Sequence, residues 1–166
     1  MKRLIYRSAT FSLLSSLVCA SNLAAGQSTA NFNVTIVIQA NCTIAANNLA
    51  FGPQGVLSTA VTSTSTLTVT CTNTTPYTVG LNAGTGTGNT EASRHMFGTV
   101  NTTASVAYQL YKADLSTVWG DATVAARVSG TGTGAAQTLT VNGSVPAQAT
   151  PAPDTYSSTV TATVYF

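Results

Sequence analysis

From Gln27 to Thr90 there is no charged side chain, and within that stretch runs such as NFNVTIVIQA and STLTVTC set apolar against polar residues at nearly every second position. No segment holds an apolar 3.6-residue period for three turns, so amphipathic helices have no footing, while period-2 alternation and β-branched residues suit half-buried strands. The clearest predicted strands are Asn31 to Ala40, Ser65 to Cys71, Tyr77 to Asn82, Ser105 to Tyr111, Gln137 to Val141 and Tyr156 to Phe166. Turn signals fall between them at Phe51-Gly52-Pro53, at the glycine tracts 83–89 and 129–134, at Asn142-Gly143 and at Pro151-Ala152-Pro153-Asp154. Many short strands with this punctuation predict an all-β chain, and at this length an immunoglobulin-like β-sandwich.

The first 26 residues read differently. Lys2, Arg3 and Arg7 precede an apolar run from Phe11 to Ala20 and then small residues, the plan of a secretory signal peptide, with cleavage expected after Ala20, Ala25 or Gly26. The run is shorter than the roughly 18 residues that span a bilayer, so no stable membrane insertion is expected. A lipidated Cys19 is disfavoured by Val18, which stands where such sites take Gly or Ala. Without this leader three basic residues (Arg94, Lys112, Arg127) face four acidic ones (Glu91, Asp114, Asp121, Asp154), a net charge of −1 that offers no nucleic-acid footprint.

Export also bears on the cysteines. With Cys19 gone, Cys42 and Cys71 are a lone pair in an oxidising compartment and are expected to form a disulfide. Closing a loop of about 30 residues removes roughly 3 to 4 kcal/mol of unfolded-chain entropy. A metal or redox reading finds no CxxC spacing and a single histidine, His95. Catalysis fares no better: nothing in the spacing of His95, Asp114 and the serines proposes a nucleophile beside a base, so neither enzyme activity nor cofactor is expected. The GTGTG tracts lack the order of phosphate loops and precede no helical pattern. The Asn-x-Ser/Thr triplets at Asn33, Asn41, Asn73, Asn101 and Asn142 are expected by chance in a Thr-rich chain.

What remains is the strand edges. An exposed edge is ordinarily blunted by charge, proline or a bulge. Here Phe32, Val34, Ile36 and Ile38 share one face of an uncharged strand, with Val37 the exception, and Tyr156, Val160, Ala162, Val164 and Phe166 share one face of another. Both fit interior strands of one sandwich; both also fit β-strand addition between chains.

From Val69 onward the blocks VTCTNTTPYTVGLNAGTGTG, RHM, VAYQLYKADLSTVWGD, GTGTGAAQTLTVNGSVPAQ and DTYSSTVTATVYF, together with FNVTIVIQANCTI from Phe32 to Ile44, resemble the spore coat protein U domain, the subunit type of archaic (Csu-type) chaperone-usher pili. The resemblance implies an incomplete immunoglobulin-like sandwich completed by a donated strand. It implies a signal peptide over residues 1–26, a donor segment over 27–41 with Phe32, Val34, Ile36 and Ile38 as inserting side chains, and a pilin domain over 42–166. It further implies an acceptor and chaperone-binding edge at Tyr156, Val160, Val164, Tyr165 and Phe166. The expected partners are copies of the chain itself, a periplasmic chaperone and an outer-membrane usher, and the expected role is a cell-surface pilus subunit in adhesion or biofilm formation. A spore or cyst coat protein, or a minor adaptor or tip binding module of the same pilus, are the alternatives. The chain departs from the family pattern at Asp154, where Gly is usual.

Overall fold

The computed structural model describes residues 26–166, so the expected signal peptide lies almost wholly outside the described residues. Residues 26–36 and residues 37–166 are separate units. The first contains no strand, and Phe32, Val34 and Ile36 are all exposed.

The second unit is all-β. Its strands are β1 (Cys42–Ala46), β2 (Val61–Cys71), β3 (Pro76–Leu81), β4 (Arg94–Gly98), β5 (Ser105–Tyr111), β6 (Val128–Thr131), β7 (Ala136–Val145), β8 (Tyr156–Ser157) and β9 (Ala162–Tyr165), with one 3-10 turn at Val124–Ala126. A six-stranded sheet runs β1-β2-β7-β5-β4-β8 and a three-stranded sheet runs β6-β3-β9, every pairing antiparallel. Leu67, Val69, Val79, Leu81, Val106, Tyr108, Leu110, Val141 and Val145 are buried between the sheets. On β5 every second residue is buried, so the alternation that predicted this strand is the alternation that packs it.

Four sequence readings need correction. Asn142-Gly143 is no turn: β7 runs straight through it, because both residues pair with β2 on one side and β5 on the other, and the Asn142 side chain donates to the Lys112 carbonyl at 2.9 Å. Gly143 matters for another reason, since a Cβ there would stand 2.8 Å from Leu49 Cδ1. The tract 129–134 is a turn only in its second half, where Gly134 has φ +77°; its first half belongs to β6. The strand expected from Tyr156 to Phe166 is two pieces, β8 against β4 and β9 against β3, joined by residues that cross from one sheet to the other. Residues Asn31 to Ala40 belong to no strand. β1, β4 and β6 were not anticipated.

Two side chains tie the sheets together. Trp119, 1% exposed, donates its indole N–H to the Val79 carbonyl of β3 at 2.8 Å, while its own N–H bonds Leu110 O on β5 at 2.9 Å. Arg94 of β4, also 1% exposed, donates to the carbonyls of Leu81, Asn82, Trp119 and Glu91 at 2.8–3.1 Å and to Gln109 Oε1 at 2.6 Å. Burial lowers its pKa from the ordinary guanidinium value, opposed by Tyr108 and Glu91. The Cys42–Cys71 disulfide forms between residues directly opposite in the β1–β2 ladder, with Cα atoms 4.1 Å apart.

Replacing Arg94 by Met strands several buried carbonyls and should lower stability by about 3 to 5 kcal/mol, read as a shift in the urea midpoint. The Cys42→Ser/Cys71→Ser double variant should lose about 3 to 4 kcal/mol and deprotect the β1 amides first in hydrogen exchange.

Candidate functional site

Among the described residues β1, β8, β6 and β9 are end strands, and the β1 and β9 ends leave a seam. β1 pairs only with β2 and β9 only with β3, yet β1 and β9 approach within 8 Å Cα–Cα of each other without a ladder between them. Their facing edges therefore carry backbone N–H and C=O groups with no strand partner. Ile44 on the β1 side and Val160, Ala162 and Val164 on the β9 side are half-buried against the core rather than sealed into it.

A cleft of about 740 Å³ lies among the segments that follow β1 and precede β9. β1 continues to Leu49 and Phe51, β9 is preceded by Tyr156, and Val61, Met96, Val106 and Val145 also line the cavity. The lining is mainly apolar, and among the described residues no three His, Cys, Asp or Glu side chains are grouped to hold a metal ion.

The expected site residues are not brought together. Val160 and Val164 stand on the seam, and Tyr156 stands in the cleft with its hydroxyl donating to Ala152 O at 2.7 Å. Tyr165 points to the opposite, outer face, and Phe166 is exposed. Phe32, Val34 and Ile36 lie in the first unit, 84–85% exposed; Ile38, in the second, is 70% exposed. Sequence reasoning missed the far wall, Leu49 and Phe51, because they follow a strand it had not found. The Phe51-Gly52-Pro53 signal marked only a turn.

Glu91, Lys112, Asp114 and Asp154 each fasten a loop. Glu91 accepts from the Asp121 and Ala122 amides at 2.7 and 2.8 Å, and Lys112 donates to the carbonyls of Ala125 and Arg127, each at 2.9 Å. Asp114 accepts from Thr117 Oγ1 and from the Thr117 and Ser116 amides, which lowers its pKa to about 2. Asp154, at the lip of the cleft, accepts from the Asn101, Val100 and Thr155 amides and from Thr99 Oγ1, and these bonds hold its pKa below the usual carboxylate value. It thereby pins the tip of the β4–β5 hairpin to the cleft wall. Because the folded-state pKa is depressed, this fastening is complete above the unfolded value near 4 and is lost as pH falls through the lower folded value. Amide exchange at Val100 and Asn101 should stay slow at pH 5 to 7. After correction for intrinsic exchange rates it should speed up below about pH 4, and Asp154→Asn should remove that dependence.

In the crystal structure of the CsuC–CsuE chaperone–tip adhesion subunit pre-assembly complex from archaic chaperone-usher Csu pili of Acinetobacter baumannii, one chain is 23% identical with a TM-score of 0.54, over 78% of the present chain and 40% of its own length. The present chain thus spans about two fifths of that relative, and the likeness is one of fold. A chain from a chaperone–tip adhesin complex of CFA/I fimbriae biogenesis matches at 11% identity and TM-score 0.42, over 75% and 41% of the two chains. No curated protein matches the sequence. The Spore Coat Protein U domain model matches residues 28–163, almost the whole of the described chain, and it covers the disulfide, β1, the first half of β9 and the cleft lining. The chain belongs to the Spore Coat Protein U domain family.

Proposed function

We propose that this chain is a non-enzymatic structural subunit of a surface pilus, and that residues 27–41 of one copy fill the seam between β1 and β9 of the next. The observation that carries the proposal is the pairing of an unclosed apolar seam with a strand-like segment that exposes Phe32, Val34, Ile36 and Ile38 and belongs to no sheet. The segment from Asn31 to Ala40 is long enough to pair along either free edge. A periplasmic chaperone holding the seam until exchange, and an outer-membrane usher, are the partners proposed by analogy with the chaperone-usher relative. Adhesion or biofilm formation is the proposed setting.

Strand directions favour a polarity. Five successive antiparallel pairings separate β1 from β8, so β8, and with it β9, runs opposite to β1. A donor antiparallel to β9 leaves at the Leu49–Tyr156 end, far from Cys42, where each copy's own donor begins. Successive copies then stack in one direction as an open filament. The reverse insertion brings two Cys42 ends together and closes a pair.

If four apolar side chains enter the seam at about 1.5 to 3 kcal/mol each, burial supplies roughly 6 to 12 kcal/mol before ordering costs. Val34→Asp or Ile36→Asp would bury an unpaired carboxylate there. Each variant should fold and bind its chaperone yet form no polymer, as read by heat-resistant ladders on mild-detergent gels. A variant that cannot fold even when a synthetic 27–41 peptide is supplied would make the segment an internal strand and overturn the proposal.

A further inference from the structure

Along β9, Val164 faces the core beside Val79, whereas Thr163 and Tyr165 face outward opposite Gly80 and Thr78. That outer face is covered by the loop after Trp119. The Tyr165 hydroxyl donates to Asp121 Oδ2 at 2.9 Å, and the Arg127 guanidinium carbon lies 3.8 Å from the centroid of the Tyr165 ring. Arg127 Nε is 2.9 Å from Asp121 Oδ1, and Nε and Nη2 also donate to the Asp121 carbonyl at 3.0 and 2.8 Å. Gly80 makes room for this arrangement, since a Cβ on it would overlap Asp121 Oδ1. The loop itself is immobilised by Glu91 and Lys112 through four backbone bonds.

We infer that Asp121, Arg127 and Tyr165 form a latch that holds β9 in acceptor geometry while its seam side is empty or changing partner. The inference rests on the seam being a strand acceptor, and it makes these three positioning residues for strand exchange. The physical need is plain. β9 has four residues and one hydrogen-bonded neighbour, and such a strand frays readily. An occupant of the seam cannot steady β9 before it arrives. A ring clamped beneath a guanidinium and a hydroxyl anchored to a carboxylate steady it from the side that no donor touches.

The test uses the full chain after export and a fluorescent synthetic peptide of residues 27–41. Two variants reach the latch from different strands: Tyr165→Phe removes only the bond to Asp121, and Gly80→Ala displaces the Asp121 carboxylate without altering Tyr165. Both should take up the peptide about two- to tenfold more slowly than wild type. Both should also lose hydrogen-exchange protection at Thr163 and Tyr165 while the β2–β7 amides keep theirs. Wild-type uptake rates in both variants would overturn the latch and leave the seam reading intact, as would a uniform loss of protection across all strands. A wild-type chain that takes up no peptide would overturn the seam reading, and the latch with it.

Discussion

A sandwich that lacks a closing strand needs another bond between its layers, and here the Arg94 guanidinium provides it. From β4 of one sheet it reaches carbonyls at the end of β3 in the other and the carbonyl of Trp119 between them. Neutral acceptors surround a charge that is costly to bury, and they are arranged so that its donors are used. The charge therefore acts as a multi-pronged hydrogen-bond donor that pins three segments at one point. Trp119 repeats the pattern with its indole N–H. With these ties in place, β1 and β9 can stand apart without the sheets separating.

The same economy governs the other charges. In a chain with so few ionised groups, Glu91, Lys112, Asp114, Arg127 and Asp154 are bonded to backbone amides or carbonyls in loops, and the Asp121 carboxylate meets Arg127 and Tyr165. The uncharged stretch from Gln27 to Thr90 supplies the strand-like segment, β1, β2 and β3, where a charge would repel a pairing partner or occupy its groove.

How much of this the residues announce depends on range. β5 was legible because alternation reports a half-buried face directly; of the set expected on one face, Tyr156, Val160, Ala162 and Val164 are half-buried, whereas Phe166, beyond the last ladder pair of β9, is exposed. Alternation reports faces and not neighbours, so the change of sheet between β8 and β9 was invisible. Asn142-Gly143 misled because a local turn preference yields when a strand is flanked on both sides by ladders. Arg94 entered the sequence reading as one of three basic residues; its acceptors, contributed from as far away as Trp119, make it a core element. Asp121, Arg127 and Tyr165 meet across a separation of up to 44 residues, which no local pattern encodes.

The disulfide acquires a further meaning from its position. Cys42 is the first residue of β1, immediately after the residues that lead in from the strand-like segment, and it is bonded covalently to the end of β2. In a filament of the proposed kind, tension would enter each subunit at this corner. β1 alone, five residues with one neighbour, would peel away pair by pair. The bridge instead passes the load to β2, whose ten-pair ladder with β7 is pulled along its length, so that its bonds must yield together. In such a filament Cys42–Cys71 would work as a mechanical shunt, turning an unzipping geometry into a shearing one.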